Sequence, residues 1–180
     1  MITRKTAAAG LRALAVFSVL GGACLLIRML WVMFHSPGGG TVGGLLFAAI
    51  YLAAILFIGR ILRARAAAVG ELGDSAFAAI ALVSILLRTA GEVYAALGIG
   101  IGAAGCVFIW FGGRNPLWLL QGLGAIFPYA SGAPTFAGGV SFLLPLTASA
   151  FFAAIVTHFL AEWSLALANG LEERRARIRS

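Results

Sequence analysis

Residues 74–111 read DSAFAAIALVSILLRTAGEVYAALGIGIGAAGCVFIWF, an apolar stretch whose hydrophobic character is interrupted at Arg88 and Glu92. The fold turns on whether its first half, Ala76 to Leu87, crosses a membrane on its own. That run is about 12 residues, whereas a spanning helix needs at least about 17 to cross the roughly 30 Å hydrocarbon core. Asp74 followed by Ser75 makes a good helix N-cap, because a side-chain oxygen there accepts a bond from an otherwise orphaned backbone N–H. The stretch is therefore expected to form a cytoplasmic or interfacial helix over about residues 75–90, leading into a span over about residues 91–112.

Charge placement favours the same reading. With Ala76 to Leu87 outside the bilayer, Arg4, Lys5, Arg12, Arg60, Arg63, Arg65, Arg88, Arg174, Arg175, Arg177 and Arg179 share one side, and Arg114 alone takes the other. Basic residues collect on the cytoplasmic side, so both termini are expected there. A fifth span would carry the four arginines of the tail across, against that bias.

Working outward, three more spans are expected, over about residues 13–34, 42–59 and 140–165. The basic start followed by a first apolar run also suits a signal peptide, but the run is too long for a signal h-region. His35-Ser36-Pro37-Gly38-Gly39-Gly40 reads as a turn, since proline removes a donor and three glycines oppose a helix. Residues 113–139 form an outer loop rich in Pro, Gly and aromatics, expected to rest on the outer leaflet rather than to re-enter the bilayer, with Leu117 to Phe127 as a candidate short helix in the outer interface. Residues 166–180 form a basic cytoplasmic tail. The whole of 1–180 is thus expected to be one polytopic all-α membrane domain with four transmembrane helices.

Composition excludes the alternatives. The chain is 62% hydrophobic and 11% charged, with a mean hydropathy of +1.03; soluble domains run about 45–50% apolar and about 25% charged. Disorder would need low hydrophobicity, and two cysteines build no disulfide scaffold. The net charge of +7 would suggest nucleic acid in a soluble protein, but here it points to anionic lipids at the cytoplasmic face. Arginine outweighs lysine, and alanine and glycine abound, a bias expected of a GC-rich bacterial genome and hence of a bacterial inner membrane.

Ionisable groups near hydrocarbon cost about 2.5–3.5 kcal/mol on insertion scales, so each needs a partner or a task. Arg28 lies near the outer end of the first span, within snorkelling reach of headgroups. Arg88 and Glu92 are an i, i+4 pair, as are His158 and Glu162. If the two helices pack antiparallel, Arg88 is placed to reach Glu162 and His158 to reach Glu92, a charge clamp fixing helix register. A proton path through His158 is the sharper reading, but no further carboxylate continues it deeper into a span.

Gly100-Ile101-Gly102-Ala103-Ala104-Gly105 fits the dinucleotide fingerprint, which requires a strand before it; inside an apolar helix, Gly98, Gly102 and Gly105 are instead expected to form a close-packing face. His35, His158, Cys24 and Cys106 are too scattered for a metal or haem site, and no hydrolase triad is present, so neither cofactor nor enzymatic chemistry is expected. The resulting expectation is a non-enzymatic accessory or scaffold subunit of a larger membrane complex, with Ile80 and Leu87 facing the partner. The alternative is a small homo-oligomeric channel or transporter with Thr147, His158 and Glu162 along one face of its last helix and Ser149 and Thr157 off it. In either case the partners are other membrane proteins or copies of itself, with no role for nucleic acid.

Overall fold

The computed structural model describes residues 4–35, 41–72, 78–112 and 133–179. Among these the chain is helical apart from residues 71–72 and 133–135, in the order α1 (Arg4–His35), α2 (Thr41–Gly70), α3 (Ala78–Gly112) and α4 (Phe136–Arg179). All four are long and apolar enough to cross a membrane, which makes this a multi-pass membrane protein. The turn at residues 36–40, the cap at Asp74 and the proposed short helix from Leu117 to Phe127 lie outside the described residues.

The separate interfacial helix expected over residues 75–90 is not borne out: from Ala78 those residues are the opening turns of α3, which continues unbroken to Gly112. Arg and Glu are good helix formers, so Arg88 and Glu92 interrupt the hydropathy without interrupting the backbone. Each also finds an opposite charge on a neighbouring helix, which removes the reason for a break. By the same logic α2 passes Arg60, Arg63 and Arg65 and ends at Gly70. α4 starts at Phe136 and accommodates Pro145, which removes one backbone donor without ending the helix.

Helix packing follows chain order. α1 packs on α2, α2 on α3 and α3 on α4, and no other pair meets to a comparable extent. The arrangement is an open row in which α2 and α3 stand inside and α1 and α4 stand at the edges. Burial reflects this: 50% of the most apolar window of α3 is buried, against 17% for α1 and 22% for α4. The α1–α2 contact uses a stripe at Ala8, Leu11, Ala15 and Met29 facing Ile55, Ile58, Leu62, Ala66 and Val69. Toward the opposite end, Phe47 of α2 meets Phe108 of α3 edge-on, with ring centroids 5.9 Å apart.

Small residues set the close approaches, because in lipid helix backbones associate through van der Waals fit rather than through hydrophobic expulsion. A Cβ at Gly22 would lie 2.7 Å from Ile55, and one at Gly43 would lie 2.6 Å from the backbone of Gly112. α3 carries such positions on two sides: Gly100 receives Ala54 of α2, while Gly91, Gly102 and Gly105 receive Thr157, Leu143 with Leu146, and Phe142 of α4. This is how one helix packs closely against both neighbours.

Candidate functional site

The ionisable side chains that pair across α2, α3 and α4 gather at one level of the row, whereas Arg28 of α1 is exposed nearer the His35 end. Arg65 of α2 grips Glu92 of α3 as a fork, Nε donating to Oε2 at 3.1 Å and Nη2 donating to Oε1. Such two-point guanidinium–carboxylate pairs are geometrically specific and stronger than neutral hydrogen bonds. On the other side of Glu92, His158 Nε2 of α4 stands 3.9 Å from Oε1 and forms an ion pair only when the ring is protonated. The ring is held by its Nδ1, 2.9 Å from the carbonyl oxygen of Ala154. Arg88 Nη2 donates to Glu162 Oε1 across the α3–α4 seam. Arg88 Nε is buried with no hydrogen-bond partner.

The structure thus brings together Arg88 with Glu162 and His158 with Glu92, and neither i, i+4 pair bonds within its own helix. It adds Arg65, which the sequence reading counted only among loop charges. The missed signal was the spacing Ile58, Leu62, Ala66, Val69, a buried helical stripe that runs past Arg60. Its continuation carries α2 to Gly70 and sets Arg65 on the flank of the buried face.

Helix geometry locates this charged layer. From Glu92 to Gly112 there are about 20 residues of α3, or about 30 Å, and from Phe136 to His158 of α4 there are about 22, or about 33 Å. From Thr41 to Arg65 of α2 the path is about 36 Å. The far ends of the three helices adjoin, since Gly43 packs on Gly112, and Trp110 Nε1 donates to the Phe136 carbonyl at 3.0 Å. The charges therefore lie about one hydrocarbon thickness from that end.

Beyond this layer α3 and α4 continue as apolar helices. Ile80 and Leu87 are half-buried, while Val83 and Leu86 of α3 and Trp163 and Leu167 of α4 are exposed.

The remaining polar groups are mostly engaged locally. Ser149 and Thr157 donate to carbonyls of their own helix, those of Leu146 and of Ala153 and Ala154; the Thr147 hydroxyl is buried without a hydrogen-bond partner. Of the glycines expected to pack, Gly102 and Gly105 face α4, and Gly98 is buried. Cys24 is exposed, Cys106 is buried, and both are free thiols. His35 stacks on Trp31 at the end of α1, with centroids 4.1 Å apart. Among the described residues no three His, Cys, Asp or Glu side chains converge as metal ligands. No family model, curated protein or solved structure matches the chain.

Proposed function

We propose that this protein is a non-enzymatic accessory or scaffold subunit of a bacterial inner-membrane complex, with both termini cytoplasmic. The observation that carries the reading is the set of exposed apolar side chains Val83, Leu86, Trp163 and Leu167 beyond the charged layer. If that layer marks the headgroup boundary, these side chains stand outside hydrocarbon. Lipid tails do not cover them there, and exposed apolar patches of this kind characterise interaction sites. The partner-facing positions proposed from sequence, Ile80 and Leu87, lie on the same stretch of α3 but are half-buried, so Val83 and Leu86 are the better contacts.

The test is native mass spectrometry of the protein gently extracted from its own membrane, with Leu86→Glu and Trp163→Glu as variants. A stoichiometric companion protein, lost in both variants while the helical bundle keeps its detergent stability, is the expected result. A homo-oligomer without companions overturns it and favours the channel reading. The exposure of Glu162, whose side chain is 68% accessible beside the Arg88 partner, is the observation on which that second reading rests.

A further inference from the structure

Near the start of α1 and the end of α2, a groove of about 470 Å³ opens between the two helices. Its walls are Ala15, Val16, Val19 and Leu20 of α1 with Ala67 of α2, and Arg12 and Arg63 line it as well. Ligand sites typically occupy about 300–1,000 Å³ and combine apolar walls with a few placed polar groups. Arg12 and Arg63 are both exposed, and neither has an acidic partner among the described residues, unlike Arg65 and Arg88.

Three features fix the shape of this groove. Gly59 lets the helices approach, since a Cβ there would come within 2.9 Å of Val19 and 4.0 Å of the Ala15 carbonyl. The Arg63 guanidinium folds back over the same glycine, with Nη2 3.9 Å from that Cβ position, as helix side chains lean toward the N-terminus. Val16 and Leu20 leave the apolar wall open outward, being 58% and 57% exposed. Arg12 lies about 23 residues, or about 35 Å, from the His35 end of α1, so its charge belongs at the headgroup level.

We infer that this groove binds one anionic glycerophospholipid, its phosphate held between Arg12 and Arg63 and an acyl chain lying along Ala15, Val16, Val19 and Leu20. Charge complementarity selects the occupant: two guanidinium-bearing side chains without an acidic partner among the described residues line one apolar slot, and guanidinium forks match phosphate oxygens. The inference is independent of the accessory role, since it requires only that α1 and α2 lie in a membrane.

The test uses the full chain in detergent micelles titrated with phosphatidylglycerol or phosphatidylcholine, with retained lipid counted by native mass spectrometry. Retention of phosphatidylglycerol over phosphatidylcholine is expected. At about fivefold per basic residue near a lipid surface, Arg12→Gln or Arg63→Gln alone should weaken retention about fivefold, and the pair about thirtyfold. Arg60→Gln, an exposed arginine outside the groove, should leave it unchanged. Val16→Trp, which fills the slot and keeps both charges, should also expel the lipid. Soluble glycerol phosphate should not compete. Equal retention of the two lipids, equal loss with Arg60→Gln, undiminished binding to Val16→Trp, or displacement by glycerol phosphate would each overturn the site. If the double variant fails to fold, Val16→Trp and the lipid preference of the native chain still decide.

Discussion

At one end of the α3–α4 seam, Gly102 and Gly105 admit Leu143, Leu146 and Phe142 into the space a Cβ would take; at the other, Arg88, Glu92, His158 and Glu162 meet through charge. The first end is specified by size. It holds because dispersion falls off steeply with distance and the surfaces fit closely. The second is specified by sign, and Arg65 of α2 extends it to a third helix. The comparison shows why the two ends carry different sequence signatures: one must stay small, whereas the other must stay balanced.

The sharpest way to break the comparison is at the charged end. Glu92→Ala leaves Arg65 and His158 without their carboxylate and should cost about 3 kcal/mol of unfolding free energy in mixed micelles. The double variant Arg65→Met with Glu92→Leu should recover most of that loss, since removing both charges also removes their desolvation cost. Equal stability of the single and double variants would show that the pair does not hold the row together.

At the size-determined end, Gly105→Ala drives a methyl group into the Phe142 ring and should cost about 2 kcal/mol by the same assay. Adding Phe142→Leu should return part of it. Gly21→Ala, where nothing lies within 4 Å, should be neutral or stabilise by about 0.5 kcal/mol; matching losses at the two glycines would mean that helix propensity, not fit, decides.

Gly91 tests whether the two modes are independent, because it precedes Glu92 and packs on Thr157, the residue before His158. Gly91→Ala should cost about 1.5 kcal/mol, and Thr157→Ala should relieve it. Non-additivity with Glu92→Ala, measured as a double-mutant cycle, would show that fit and charge act as one unit there.

The smallest effect belongs to Arg88→Gln, at about 0.5–1 kcal/mol, because Glu162 is 68% exposed and solvated pairs contribute little. A loss as large as that of Glu92→Ala would place Glu162 in a far drier setting than its exposure indicates.

Much of this was legible from residue types. The four spans followed from hydropathy, and the pairing partners of Arg88 and His158 followed from two i, i+4 motifs on helices that pack side by side. The continuity of α3 was not legible, because a hydropathy count registers Arg88 and Glu92 as a boundary, whereas the backbone responds to helix propensity and lateral compensation. The groove at Arg12 and Arg63 was illegible for another reason: it depends on Gly59 bringing α1 and α2 together, a pairing that neither helix encodes alone. The open row was likewise invisible, since spans of similar hydropathy are buried to very different extents.

Because helices adjacent in space are also adjacent in the chain, this molecule can be assembled in the order of its synthesis. The α1–α2 hairpin needs nothing that comes later except a carboxylate for Arg65, which arrives 27 residues downstream as Glu92. Arg88 waits longer, 74 residues, for Glu162. During that interval Glu92, one helical turn from Arg88, is already engaged by Arg65, so docking of α4 supplies Arg88 with its carboxylate. Chains truncated before Phe136 should therefore insert three helices but remain sensitive to protease until the last one is supplied.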